Sequence, residues 1–210
     1  MKAYRYCLLV TSLLTNCLAS GAYAQGRELL TADSVALYQR HIGQTPGVYR
    51  YYRHYVGDLN NDKKPDIVVV AQNTQRRPTD PPGGFSRRVL LLLQQPNGQL
   101  RTAAYNDQVI ACSACGGGAL RQDPFNRVTL NGTLLSFVST VGFGEKTTQV
   151  ITFRFDPKRP DWWLHTIALQ PLTYDATGHL TKSQPPKIYE AKQLGDVRFE
   201  AFTSKVIPKK

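Results

Sequence analysis

Residues 29–43, LLTADSVALYQRHIG, carry a helical pattern. Val35, Tyr38 and Ile42 recur at helical spacing, Thr31 or Ser34 can cap the start, and Gly43 can end it. After Pro46 the pattern turns to strands. VYRYYRHYV (48–56) interleaves tyrosine with arginine and reads as a strand with a tyrosine-lined core side and an arginine-rich solvent side. DIVVVAQ (66–72) is continuously apolar, as a buried strand must be. NTQRRPTDPPGGFSRR (73–88) breaks the pattern with Pro, Gly and Arg and reads as an exposed loop.

Three hairpins follow. VLLLLQQ (89–95) turns at Pro96-Asn97-Gly98 into QLRTAAY (99–105). RVTL (127–130) turns at Asn131-Gly132 into TLLSFVSTV (133–141). TTQVITFRFD (147–156) turns through DPKRPD into DWWLHTIAL (161–169). Strict alternation in that last strand puts Trp163, His165, Ile167 and Leu169 on one face, and Trp162, Leu164, Thr166 and Ala168 on the other. A Pro- and Lys-containing connection follows, after which VRFEAF (197–202) is positioned to close the sheet. The elements predict a mainly β fold, either an antiparallel meander or a two-layer sandwich of about eight to nine strands. The one N-terminal helix is expected to cover an edge or an open end.

The chain begins with a separate signal. Lys2 and Arg5 precede a mostly apolar run from Cys7 to Leu14, and Ala22-Tyr23-Ala24 is a small-x-small cleavage site. The run is shorter than the about 20 apolar residues that a spanning helix needs. Residues 1–24 therefore read as a secretory signal, in a bacterial style, and 25–210 as a single domain. Leu14-Thr15-Asn16-Cys17 is the minor alternative of a lipoprotein signal, although Asn16 stands where a small residue is usual. Export places the mature chain in the periplasm or outside the cell.

Composition adds a basic balance. The formal charge is +11, of which Lys2 and Arg5 leave with the signal. An exported protein rarely meets nucleic acid, so this charge favours an anionic envelope component or an unknown acidic protein as partner. The plain reading of the same charge is solubility.

Chemistry concentrates in GDLNNDKKPDIVVV (57–70). Asp58, Asn60, Asp62 and Asp66 offer side-chain oxygens in alternation, and the carbonyl of Lys64 adds a main-chain oxygen. This hard, oxygen-only donor set suits calcium (Ca2+) or magnesium and lacks any soft ligand. Lys63 and Lys64 bring positive charge that opposes a cation. The alternative is a tight turn in which the acidic side chains cap backbone N–H groups. The stretch resembles the calcium loop of FG-GAP/VCBS-like repeats, in which Gly-Asp-hydrophobic-Asn-Gly-Asp-Gly-x-x-Asp precedes an apolar strand. Gly57, Asp58, Leu59, Asn60, Asp62 and Asp66 match, whereas Asn61 and Lys63 stand where glycine is usual. A propeller needs at least four blades and only one such loop is found. Val69 occupies the place of an EF-hand's last glutamate, which excludes that motif. Taken with the LLLL hairpin, the CxxCGG turn, ITFRFD and WxLH, the chain also resembles a family of uncharacterised secreted bacterial β-proteins, a resemblance that implies no activity.

Without the signal, Cys112 and Cys115 are the remaining cysteines, in CSACGGG. In an oxidising compartment they are expected to form a short-range disulfide. A redox dithiol would start a helix after a strand, and here glycines follow. Half of a zinc site would need two further ligands, and His41, His54, His165 and His179 show no ligand spacing. His165, beside Trp162 and Trp163, reads as a hydrogen-bonded core residue. No nucleophile elbow, zincin or phosphate-loop motif occurs. The sequence thus points to an exported, non-catalytic, β-rich binding or inhibitor-like module with one calcium-type loop, the contact surfaces being loop 73–88 and segment 112–125. The alternative is an envelope enzyme: a thiol-disulfide oxidoreductase using Cys112 and Cys115, or a metal-assisted hydrolase using the aspartates.

Overall fold

The computed structural model describes residues 32–117, 122–143, 145–175, 177 and 179–208. The signal segment with Cys7 and Cys17, the cap residue Thr31, residues 118–121 of the glycine-rich segment and the Lys209-Lys210 tail lie outside the described residues.

A helix α1 (Ala32–Gly43) leads into ten strands: β1 (Tyr49–Gly57), β2 (Asp66–Asn73), β3 (Arg87–Gln94), β4 (Leu100–Asn106), β5 (Phe125–Asn131), β6 (Leu134–Phe143), β7 (Glu145–Asp156), β8 (Asp161–Tyr174), β9 (Leu180–Ser183) and β10 (Lys187–Glu190). The strands form two antiparallel sheets. One has the order β1-β2-β3-β4, and the other the order β10-β8-β7-β6-β5, with β9 also on β8. The fold is mainly β with one main helix, as the pattern predicts, and all three hairpins are found.

Two apolar layers explain the strand patterns. Between the sheets, Val68, Val70, Val89 and Leu91 meet Phe137, Ile151, Phe153 and Trp162. On the other face of the four-stranded sheet, Ile67, Val69, Leu90 and Leu92 pack against Tyr38 and Ile42 of α1. β2 and β3 are buried on both faces, so they lose polar alternation even though the sheet is antiparallel. The helix therefore covers a face rather than an end. It also protects an edge: the Gln39 amide donates to the Tyr49 carbonyl, and its oxygen accepts from the Tyr51 N–H.

Four expectations need correction. Arg87 and Arg88 are not in an exposed loop; they open β3 and are buried. The Pro- and Lys-containing connection holds the short strands β9 and β10, so there are more strands than the pattern predicts. VRFEAF does not close a sheet. It makes one bridge to β8 and then turns, driving Phe199 and Phe202 into the inter-sheet core against Phe153. Finally, β8 does not alternate strictly. Its pairing with β7 shifts between Thr152 and Phe153, which bulges β8 at His165. One extra residue reverses the phase, so Trp162 and Leu164 share the core side with Ile167 and Leu169.

β1 is bulged too, between Tyr51 and Arg53. Its tyrosines divide between the two cores, Tyr49 towards the helix and Tyr55 towards the other sheet, while Arg50 and Arg53 remain exposed.

Candidate functional sites at the two ends of the sandwich

The acidic loop closes one end. Asp58 Oδ1 accepts from the N–H groups of Asn60 (3.3 Å) and Asp62 (3.2 Å), and Oδ2 from Lys63 (2.8 Å). Asn60 Oδ1 also accepts from Asp62 N–H, and Asp62 Oδ1 from Lys64 N–H. Asp66 reaches across the end of the sheet. Its Oδ2 accepts from Leu59 N–H and its Oδ1 from Gln94 N–H, both at 2.9 Å. Leu59 is buried in the inter-sheet core, and its carbonyl accepts from the Trp162 indole at 3.2 Å. The loop is thus tied to both sheets.

Asp58, Asp62 and Asp66 converge, each offering an oxygen within 4.8 Å of the others. Oxygens bound to one calcium ion at about 2.3–2.6 Å span no more than about 5 Å. Asp58 Oδ2, Asp62 Oδ1 and both Asp66 oxygens accept one N–H each and retain a second lone pair, which leaves room for an ion. The donor set therefore fits a hard divalent cation. Asn61 and Lys63, which replace the usual glycines, have φ of 62° and 65°. The loop keeps a glycine-type backbone without the glycines, at a cost of about 1–2 kcal/mol each. Lys64 supplies a competing charge, with Nζ 3.5 Å from Asp62 Oδ2.

The electrostatics of the three carboxylates differ. Burial holds the Asp66 carboxyl above the usual range, and the neighbouring Asp62 and Asp58 charges add to this against the two N–H donors. The Lys64 N–H holds Asp62 below it. Among the described residues no cationic side chain pairs with Asp58 or Asp66. No described histidine or cysteine joins the cluster.

The opposite end holds a cleft of about 440 Å³ that the sequence does not reveal. Loop residues Arg77 and Asp80, Asp107 after β4, the Cys112–Cys115 disulfide, and Ser139 and Gln149 of the six-stranded sheet line it. Two adjacent arginines fix its walls. Arg88 lies between the rings of Tyr49 and Tyr105 and forms a double hydrogen bond with Asp107 (Nε–Oδ1 2.6 Å, Nη2–Oδ2 2.7 Å). It also donates to Thr45 and Pro46 just beyond α1. Arg87, on the other face of β3, holds Asp123 in the same double-donor manner. A strand turns successive side chains to opposite faces, so the RR pair grips two separate segments. Asn106 completes the frame: its amide donates to the carbonyls of Phe199 and Phe202, and its oxygen accepts from Gln108 and Val109 N–H.

The cysteines form the expected disulfide. Cys112 is buried (6% exposed) and Cys115 is exposed. The following glycines permit close backbone approach. A Cβ on Gly116 would lie 2.2 Å from the Gln122 carbonyl oxygen, and Gly117 abuts Gly142 at a φ of 85°.

The histidines lie apart from both ends' chemistry. His165 sits at the β8 bulge on the outer side, where Arg154 Nη2 meets Nε2 at 2.7 Å, so it is not a core residue. His41 pairs with Thr102, His54 with Tyr51 and His179 with Thr177. No helix among the described residues is long and apolar enough to cross a membrane. No family model, curated protein or solved structure matches this chain.

Proposed function

We propose that the mature chain is an exported, non-catalytic binding or inhibitor-like module. In this reading the Asp58–Asp66 loop is a calcium site that fixes one end of the sandwich, and the cleft at the other end is the contact surface. One observation carries it: loop 74–86 and the segment around Cys112, separate in sequence, meet around one cleft, tied to each other by Phe85 and Ser113 and to Asp107 by Arg77, with Arg88 fixing Asp107 in turn. Loops set on a rigid frame are where recognition concentrates. The basic balance of the chain favours an anionic envelope component or an acidic protein as partner.

Bound calcium would neutralise the three carboxylates and offset the strain at Asn61 and Lys63. A ligand that binds only the folded state at one hundred times its dissociation constant adds about 2.7 kcal/mol of stability. Thermal unfolding across a calcium titration should show such a rise in the wild type and none in Asp62→Ala; no shift in the wild type would remove the ion from this reading. Binding is tested with immobilised protein and envelope extract. Saturable retention of an anionic polymer or acidic protein, weakened at least tenfold by Arg76→Glu in the exposed loop, is the expected result. Retention that Arg76→Glu leaves unchanged would remove the loop from the surface.

The enzyme alternative based on thiol exchange needs an accessible Cys112 thiol. Burial of Cys112 and the lack of a helix start among the described residues behind it weigh against that route.

A further inference from the structure

The floor of the cleft carries two polar side chains in line with apolar residues of the inter-sheet core. Ser139 and Gln149 lie directly opposite each other on β6 and β7 and turn inward, in the same rows as Phe137 and Ile151. Ser139 is 7% exposed. Neither side chain has a hydrogen-bond partner among the described residues, and neither is sealed off: both line the open cleft. Polar groups open to a cleft hydrogen-bond to water, and a ligand that reproduces those hydrogen bonds can take the water's place.

The remaining lining defines the ligand. Arg77 is turned to Asp107 (3.3 Å) and Tyr49, and Asp80 accepts from the Ser86 hydroxyl and the N–H groups of Ser86 and Arg77. Asp107 is held by Arg88 as well. Among the described residues each charged side chain of the lining is already engaged: Asp107 by two arginines, Arg77 by Asp107 and Tyr49, and Asp80, which has no cationic partner, by neutral donors. A serine hydroxyl and a primary amide both donate and accept, so they suit a neutral molecule that does the same, above all adjacent hydroxyls. Val109, Ile110, Ile151 and Ile207 supply apolar walls for a C–H face. The volume lies within the range of small-molecule sites, about 300–1,000 Å³. Strand addition by a peptide is disfavoured, because β6 and β7 are each paired on both sides and present no free edge.

We propose that this cleft binds a neutral carbohydrate unit of one or two sugars, with Ser139 and Gln149 reading its hydroxyls. The proposal rests on the cleft being the contact surface of a binding module, and it names the unit read there: a neutral sugar of the anionic envelope component, whose charged groups fall on the exposed Arg76 outside the cleft.

The test is titration of the full mature chain with N,N′-diacetylchitobiose, trehalose, digalacturonate and a neutral tetrapeptide, followed by backbone amide NMR shifts. One of the two neutral disaccharides should shift amides around Ser139, Gln149 and Ile110 with saturation below 10 mM, in line with the about 4 kcal/mol that a millimolar dissociation constant represents. Ser139→Ala and Gln149→Leu, each checked for unchanged unfolding temperature, should weaken that binding at least tenfold. Binding that both variants leave intact overturns the proposal, as does saturation by digalacturonate or the tetrapeptide alone, or by none of the four. Envelope retention sensitive to Arg76→Glu without any disaccharide binding would overturn the sugar assignment and keep the binding-module reading; loss of both would sink both.

Discussion

The two ends of this sandwich solve the same problem with opposite electrostatics. Each is an open end that loops must cover. At the acidic end, Asp58, Asp62 and Asp66 gather their oxygens and are stabilised mainly by backbone N–H groups, with Lys64 the one cationic side chain paired to them among the described residues. At the cleft end arginine answers two carboxylates, Asp107 with Arg88 and Arg77 and Asp123 with Arg87, while Asp80 is engaged by neutral donors. The acidic end is a concentration of negative charge that a cation would relieve. At the cleft end the side chains left without a protein partner among the described lining include the neutral Ser139 and Gln149. Ligand chemistry thus follows from which groups remain unpaired after folding, not from which residues line a site.

The comparison breaks most sharply at Arg88. Arg88→Leu leaves Asp107 with the weaker Arg77 contact and frees the chain after α1; removing one partner of a buried pair costs about 3 kcal/mol or more, which urea unfolding would record. The matching change at the acidic end, Asp62→Ala, should cost far less without calcium, because Asp62 is exposed. Equal losses from the two variants would show that the ends are not electrostatically different.

Next in size is Gly116→Ala. The added methyl meets a carbonyl at 2.2 Å, so the glycine turn must shift. A loss of about 1–3 kcal/mol is expected by the overpacking rule, with faster reduction of the disulfide by dithiothreitol as the turn loosens. Unchanged stability and reduction rate would show that the turn adapts freely.

A smaller effect of opposite sign belongs to the acidic end. Lys63→Gly relieves the positive φ, offset in part by the freedom glycine gains in the unfolded chain, for a net gain of about 0.5 kcal/mol. It also removes a positive charge from the loop, so calcium should bind more tightly. Tighter binding with no gain in stability would place the effect in charge alone.

The smallest effect lies outside both ends. Burial lowers the His41 and His165 pKa values from 6.5, helped by the neighbouring Arg40 and Arg154 charges; Glu190 opposes this at His165. The folded state therefore prefers neutral rings. Their contribution is complete above pH 6.5 and is lost as pH falls through the lowered folded values. Unfolding temperature should decline from pH 7.5 to pH 5, less steeply in His41→Gln/His165→Gln. An identical decline in the double variant would assign it to other groups.

The legible parts of the chain are those governed by local rules. Alternation, continuous apolar runs and Asn-Gly turns give the strands and hairpins of both sheets. The helix periodicity gives Tyr38 and Ile42 their buried side, and alternating oxygens mark the Asp58–Asp66 loop. CSAC gives its disulfide. The misread parts needed information from elsewhere in the chain. Arg87 and Arg88 look like loop residues because their carboxylate partners, Asp123 and Asp107, are distant in sequence. The β8 phase depends on a bulge set by its pairing with β7. Phe199 and Phe202 fall on opposite faces of a strand by their spacing, yet a turn takes both into the core.

Neighbours a few residues apart specify the mainly β class, the hairpin pairs, the disulfide and the run of aspartates that converges in one loop. That the sandwich has two chemically different ends emerges from contacts between distant segments. Pairing a charge or leaving a serine and a glutamine unpaired depends on which segments meet in space, and β3, β6 and β7 bring together residues that nothing in the linear order relates.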